Sequence, residues 1–222
     1  MRNRLRLKPA PRVQPWHPHA WQLQSLLLGY PDERQAGHLA LARGAAPALP
    51  AEVREPLLRF AGHAEETGTE ALAAAYVATF DHRRRCCPYL TYYAHGDTRK
   101  RGVALLRLKQ TYAKGGLRLT DDELPDHLAV VLEFAAIDPP AGLRLLTGHR
   151  AGLELLRLAL REENSPWAAL LDSVSATLPP LAGDQHEAVA RLAAEGPPGE
   201  EVGLDPYAPP RYTPAPPAGG PR

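Results

Sequence analysis

Residues 76–102 hold most of the side chains in this chain that could do chemistry. His82, Cys86 and Cys87 are three candidate metal ligands close together in sequence. Adjacent cysteines are poorly placed around one tetrahedral ion, and the chain has no further cysteine pair. A redox pair needs the spacing Cys-x-x-Cys, and neighbouring cysteines bridge each other only with strain. The pattern therefore favours structural cysteines over a metal site or a redox site.

Asp126 and His127 are the one pair that resembles an acid/base unit. Neighbouring residues on a helix point about 100° apart, so these two side chains would not face each other. The chain has no Gly-x-Ser-x-Gly elbow and no phosphate-binding glycine loop. An Asp at a helix start with its hydrogen bonds satisfied, beside a partly buried His, is the structural interpretation. A hydrolase that uses His127 as its base is the enzymatic alternative.

Three tyrosines, Tyr89, Tyr92 and Tyr93, recur at a spacing of three and four residues. On a helix this spacing places them on one face. That face either packs into the core or lines a groove for a ligand.

Two basic runs, residues 83–85 and 99–101, flank the tyrosines. They are solvated faces, internal partners of Asp81 or Asp97, or a surface that positions an acidic partner. A nucleic-acid-binding module, or another protein-interaction module, is a further alternative. The whole chain has 26 Lys and Arg against 25 Asp and Glu, a balance unlike that of a protein that clamps a phosphate backbone. We therefore expect no nucleic-acid partner.

Helices must position these side chains, because apolar residues recur with a period near 3.6 and no strand alternation appears. The predicted helices cover about 18–28, 33–43, 50–66, 69–80, 88–93, 98–114, 126–137, 143–146, 153–160, 166–178 and 184–195. Pro56 is expected to kink or divide the third helix. The helix over 126–137 is apolar nearly all round, which predicts the central helix of the domain. The predicted fold is all-α, a single multi-helix bundle.

Several predicted helices carry candidate capping residues. Asp97 or Thr98 would cap the helix over 98–114, and Ser165 would cap the helix that begins at Pro166. Thr120 and Glu123 fit a capping box, in which a hydroxyl and a carboxylate satisfy backbone donors reciprocally.

The composition divides the chain into three parts. Residues 1–15 predict a flexible basic arm, residues 16–195 the helical domain, and the Pro- and Gly-rich residues 196–222 a disordered tail. The chain has no apolar signal core and no run of about 18 apolar residues. These features predict a cytoplasmic protein without stable membrane insertion.

Two linked motifs carry a family resemblance. The first is YVATFDH at 76–82 followed by YLTYYAHGDTRKRGVALLRLKQTY at 89–112, and the second is the Glu-x-x-Asp-His loop at 123–127. Over residues 20–180 the chain resembles the assembly chaperones of respiratory nitrate reductase, the delta-subunit or NarJ type. These belong to the wider helical family of redox-enzyme maturation chaperones.

The resemblance implies a chaperone, not an enzyme, with no cofactor and no metal of its own. Its partner would be the apo catalytic (large) subunit of nitrate reductase, held competent for molybdenum cofactor insertion. The subunit's N-terminal segment would bind as an amphipathic helix in an apolar groove. The residues implied for client binding are Glu123, Leu124, Pro125, Asp126, His127, Tyr89, Tyr92, Tyr93, Asp97, Arg99 and Arg101.

Overall fold

A computed structural model describes residues 12–120, 123–181 and 183–195 of the chain. Its α-helices are α1 His17–Leu28, α2 Gln35–Ala45, α3 Ala51–Thr67, α4 Thr69–Phe80, α5 Leu90–His95, α6 Arg99–Lys114, α7 Leu128–Ile137, α8 Pro139–Gly148, α9 Arg150–Glu162, α10 Trp167–Ala176 and α11 Gly183–Glu195. Single 3₁₀ turns lie at Ala46–Ala48 and Arg84–Cys86. The β-structure in the described residues is one isolated bridge, between Tyr89 and His127. The all-α bundle predicted from the sequence is confirmed.

Most residues of α7 are buried, as its apolar sequence predicted. The helix packs along α1 on one side and against α8 on another, whereas α1 packs against α2, α3, α7 and α10 and holds the more central place. Gly142 of α8 permits this close packing, because a Cβ added there would lie 2.2 Å from the Cα of Ala135 on α7.

Buried polar side chains join α1 to α10 and α3. The indole Nε1 of Trp21 donates to the Thr177 hydroxyl at 2.9 Å, and the Gln24 amide donates to the Ser173 hydroxyl at 2.8 Å. Ser173 in turn donates to the backbone carbonyl of Val53 at 2.8 Å. Each bond satisfies a group whose burial would otherwise be unfavourable, so these contacts fix how the three helices pack.

An aromatic cluster around Trp167 positions the end of α4. The rings of Phe60, Tyr76 and Phe80 have centroids 5.7, 5.7 and 5.4 Å from the Trp167 ring. Tyr76 is buried in this cluster, and its hydroxyl reaches His127. The cluster thus holds the Tyr76 hydroxyl at the edge of the core, beside His127.

Helix α6 lies on the outside of the bundle. Only its Leu108 and Tyr112 are buried, in a small second core with Val130 and Phe134 of α7 and Ala141 of α8. The opposite face of α6 is exposed to solvent.

Pro56 does not divide α3, which rules out one of the two predicted outcomes, and the predicted kink stays a prediction. The helix runs unbroken from Ala51 to Thr67 with Pro56 in its second turn. The missing N–H of this proline leaves one carbonyl, that of Glu52, without its helical donor. Burial of Pro56 and its neighbours outweighs this local loss.

The predicted caps of α6 and α10 are wrong. Thr98 stands at the N-cap position of α6, but its hydroxyl donates to the His95 carbonyl at 2.8 Å. Asp97 forms an ion pair with Arg101 at 3.0 Å instead. The Ser165 hydroxyl has no hydrogen-bond partner among the described residues, and the N-cap position of α10 is Pro166.

The predicted capping box at Thr120 and Glu123 is also wrong. Helix α7 begins only at Leu128, and His127 is its N-cap residue. Glu123 therefore precedes the cap by four residues and cannot be the third residue of the helix. The two intervening residues, Asp121 and Asp122, lie outside the described part of the chain.

Most of the predicted arm and the whole predicted tail also lie outside the described residues, at 1–11 and 196–222. The three-part division of the chain stays a prediction. Within the described residues, no helix combines the length and the apolar composition needed to cross a bilayer.

Candidate functional site

The two motifs that carry the family resemblance meet in space. The Leu90 N–H donates to the Asp126 carbonyl, and the Leu128 N–H donates to the Pro88 carbonyl, both at 2.9 Å. These two bonds pair residues 88–90 antiparallel to residues 126–128. The entry to α5 and the entry to α7 are thereby held side by side.

The buried side chain of Asp126 stabilises this junction. Its carboxylate is fully buried, accepts a hydrogen bond from the Thr91 hydroxyl and lies 3.3 Å from Arg101 Nη2. The Arg101 guanidinium also pairs with Asp97 and lies 5.4 Å from the centroid of the Tyr89 ring. Asp126 and Arg101 therefore position the loop, with the Asp126 side chain closed off from solvent and that of Arg101 17% exposed.

His127 joins the junction to α7 and to the aromatic core. Its Nδ1 accepts the Ala129 N–H at 3.3 Å, and its Nε2 lies 3.3 Å from the Tyr76 hydroxyl. Because Nδ1 accepts, the neutral ring carries its proton on Nε2 and donates toward Tyr76. Burial lowers the pKa of His127 to about 4, against the opposing charges of Asp126 and Asp81. The ring is neutral at pH 7 and both nitrogens are engaged, an arrangement that suits a positioning residue better than a general base.

A groove of about 720 Å³ opens above this junction. It is bounded by α1, the α1–α2 connection, Tyr76 of α4, the 123–127 loop and α7. The lining residues are Gln22, Ser25, Leu26, Gly29, Tyr30, Asp32, Arg34, His38, Tyr76, Tyr89, Glu123, Leu124, His127, Ala129, Val130 and Glu133.

Two large apolar side chains of the groove are exposed. Tyr30 is 57% exposed and meets the Tyr76 ring edge-on at 5.5 Å, and Leu124 is 44% exposed. Charged residues lie beside them: Asp32 pairs with Arg34, which lowers the pKa of the Asp32 carboxyl, and Glu133 is exposed on α7. Apolar contacts with charged flanks fit an amphipathic segment of another chain.

A second cleft, of about 220 Å³, continues the groove along α7 toward α6. The two share Glu123, Val130 and Glu133. Ile137, which is 51% exposed, lies at the far end of the second cleft. The combined surface therefore follows α7 from its first turn to its last.

Four of the residues implied for client binding line the groove: Tyr89, Glu123, Leu124 and His127. Pro125 and Asp126 are buried behind it, where the Pro125 carbonyl accepts the Tyr112 hydroxyl at 2.5 Å.

The structure separates Tyr92 and Tyr93 from Tyr89, although their spacing predicted one shared face. Both line a different cleft, of about 210 Å³, beside Leu158 of α9. Tyr93 is buried, and its hydroxyl donates to the Cys87 carbonyl at 3.0 Å. Tyr89 precedes α5 in extended conformation, which turns its ring toward His127 instead.

The basic runs divide between internal ion pairs and solvent. Arg83 and Arg85 pair with Glu163 and Glu162 at the end of α9, and not with Asp81 as the sequence had allowed. The second run pairs inward through Arg101. Arg99 is exposed and lines none of the three clefts.

Both cysteines are free thiols. Burial raises the pKa of Cys86, and it raises the pKa of Cys87 to about 11, so neither is an activated nucleophile at neutral pH. No group of three side chains suited to a metal ion occurs among the described residues.

The α1–α2 connection supplies groove residues that the sequence did not reveal. Tyr30, Asp32 and Arg34 line the groove together with His38 of α2, yet Gly29-Tyr30-Pro31 indicated only the end of α1. The signal that could have revealed them was Tyr30, an aromatic residue at the polar end of a helix, where packing does not require an aromatic side chain.

A solved structure has the same fold. A crystal structure of an Archaeoglobus fulgidus protein described as a redox enzyme maturation protein matches with a TM-score of 0.55 and 27% identity, over 78% of this chain and 98% of that one. The helical bundle thus places this chain in the redox enzyme maturation class.

The family follows from the sequence comparisons. The model of the nitrate reductase delta subunit family matches residues 46–172. A Bacillus subtilis protein, NarJ, described as a nitrate reductase molybdenum cofactor assembly chaperone, is 35% identical over 69% of this chain and 85% of its own length. NarJ of Escherichia coli K12 is 33% identical over 67% of this chain and 64% of its own. The chain belongs to the nitrate reductase delta subunit family, whose NarJ relatives are described as chaperones and not as enzymes.

A longer relative contains the same region. The nitrate reductase-like protein NarX of Mycobacterium tuberculosis is 41% identical over 75% of this chain, which spans only 25% of the NarX length.

Proposed function

We propose that this protein binds the apo catalytic subunit of a respiratory nitrate reductase and keeps it competent for molybdenum cofactor insertion. The N-terminal segment of that subunit binds in the groove as an amphipathic helix. The protein acts in the cytoplasm, before the subunit is assembled. The observation that carries this proposal is the groove itself, in which exposed apolar side chains lie beside charged ones at the junction of the two family motifs.

The apolar contacts of the groove set the scale of the affinity. Tyr30 and Leu124 each offer a large side chain that is about half exposed. Full burial of one such side chain contributes about 1.5–3 kcal/mol, so half burial of two also contributes roughly 1.5–3 kcal/mol in total. A micromolar complex corresponds to about 8 kcal/mol. These two residues would therefore supply a substantial part of the binding free energy of a complex that still dissociates readily.

Release is as necessary as binding. A chaperone that made equal contacts with the unfinished and the finished subunit would shift no equilibrium between them. A segment that is free in the apo subunit and packed away in the mature enzyme supplies that difference. The proposal therefore favours a terminal segment over a folded surface of the client.

Isothermal titration calorimetry tests the proposal with a synthetic peptide of the client's N-terminal segment. Leu124→Asp places a charge in the groove and is expected to weaken binding at least about tenfold, because it removes apolar burial and adds a charge to be desolvated.

Leu106→Asp is the matched control, since Leu106 is 55% exposed on α6 and lines none of the three clefts. It should bind like the wild type. No heat with the wild-type protein across a range of salt, or equal losses in the two variants, would contradict the proposal.

A further inference from the structure

The exposed face of α6 combines basic and apolar side chains in a pattern that the groove does not use. From Arg99 to Arg118 the chain carries seven basic residues and no acidic one. Arg101 turns inward to Asp97 and Asp126. Five others lie on the exposed part of α6: Arg99, Lys100, Arg107, Lys109 and Lys114. None of the five has an ion-pair partner among the described residues.

Two large apolar side chains stand in the middle of these cations. Val103 is 53% exposed and Leu106 is 55% exposed. They lie three residues apart and so are neighbours along one line of the helix. Lys100, Arg107 and Lys114 follow one another every two turns along one flank of this line, and Lys109 lies on the other flank.

The shape of this face distinguishes it from the groove. Val103 and Leu106 line none of the three clefts. Helix α6 packs inward through Leu108 and Tyr112, so its other side is a convex ridge about 24 Å long for 16 residues. Protein partners are usually held by anchors that fill pockets. A convex apolar ridge with cations on both flanks fits a planar, anionic and deformable surface instead.

We propose that the outer face of α6 is a peripheral docking surface for an anionic lipid bilayer. Val103 and Leu106 enter the headgroup region, and the flanking cations reach lipid phosphates with their long side chains. Each basic residue near an anionic surface strengthens partitioning about fivefold, so the contact is salt-sensitive and reversible. The surface is separate from the groove and leaves it free for a client.

Vesicle co-sedimentation of the full chain tests this proposal. Wild-type protein is expected to sediment with vesicles that contain phosphatidylglycerol, to lose binding as salt increases, and to ignore pure phosphatidylcholine vesicles. A quadruple variant combines Lys100→Gln, Arg107→Gln, Lys109→Gln and Lys114→Gln. Four factors of about five multiply to several hundredfold at most, and we expect the partition coefficient to fall by about a hundredfold.

A matched quadruple variant changes the net charge equally but elsewhere: Arg12→Gln, Arg59→Gln, Arg144→Gln and Arg191→Gln, all exposed positions outside α6. Because distant charges are screened, it should lower partitioning by less than about threefold. Val103→Gln with Leu106→Gln should lower partitioning about tenfold and leave the salt dependence in place.

Two results would overturn the proposal. Wild-type protein could fail to sediment with anionic vesicles at low salt, or the two quadruple variants could lose binding equally. If the wild type fails to sediment and the α6 quadruple variant loses affinity for the client subunit, the face is assigned to an acidic protein surface instead.

Discussion

Replacing His127 with asparagine should remove a pH-dependent loss of stability that His127 imposes on the fold. The histidine caps α7 by accepting the Ala129 N–H on Nδ1 at 3.3 Å. Asparagine is among the best N-cap residues, so its side-chain oxygen can take over that bond without titrating. The variant thus keeps the cap and loses the ionisation.

The magnitude follows from the pKa of His127, which burial lowers from 6.5 to about 4. The unfolded chain then binds a proton more tightly than the folded chain, so stability rises with pH between about 4 and 6.5. With these pKa values, the wild type loses roughly 2 kcal/mol through this group between pH 8 and pH 5. Loss of the hydrogen bond to Tyr76 destabilises the variant by about 1 kcal/mol at every pH. His127→Asn should therefore be less stable than the wild type by about 1 kcal/mol at pH 8, and more stable by about 1 kcal/mol at pH 5.

Urea unfolding at pH 5, 6, 7 and 8 measures this difference, with the fluorescence of the buried Trp21 and Trp167 as the signal. His82→Asn is the control, because it also removes one histidine but from an exposed position. Its free energy of unfolding should follow that of the wild type at each pH. If the curves of His127→Asn and the wild type stay parallel from pH 8 to pH 5, His127 is not a buried neutral cap.

Two further predictions concern packing around the site. Asp126→Asn should lower the free energy of unfolding by about 3 kcal/mol in urea, because it leaves Arg101 without its buried partner. Asp97→Asn breaks the other ion pair of Arg101, in which the Asp97 side chain is 65% exposed, and should change stability by less than about 1 kcal/mol. Equal losses in the two variants would show that burial does not set the contribution of each ion pair to stability. Gly142→Ala should destabilise the fold by about 2–3 kcal/mol and so lower the thermal midpoint, because its Cβ would lie 2.2 Å from the α7 backbone. Gly148→Ala in the same helix, with nothing within 4 Å of its Cβ, should be neutral or slightly stabilising, and a stable Gly142→Ala would mean that α7 and α8 pack less closely.

Helix positions were the part of the structure most accessible from sequence. The predicted helices at 69–80 and 98–114 match α4 and α6 to within one residue. In both, the apolar period is interrupted sharply, by Asp81 after α4 and by Gly115 after α6. Local chemistry of this kind acts over a few residues, so it can be read from a short window of sequence.

The site itself depends on contacts between distant residues. The pairing of Pro88–Leu90 with Asp126–Leu128 forms only when the bundle folds, and it draws Tyr89 out of α5 and away from Tyr93. The same pairing makes His127 the cap of α7, in place of the Thr120 and Glu123 box that the local pattern favoured. Tyr30 becomes a groove residue because α1 ends against Tyr76. No short stretch of sequence contains both partners of any of these contacts.

Site-specific photocrosslinking to the apo catalytic subunit is the most direct test of the proposed client site. A photoreactive residue would replace Leu124 in the groove or, in a second variant, Leu158, which is 40% exposed in the cleft beside Tyr92 and Tyr93. The groove proposal predicts crosslinks from position 124 that map to the N-terminal segment of the subunit, and few or none from position 158. Crosslinks from position 158 alone, or from position 124 only to other parts of the subunit, would contradict it.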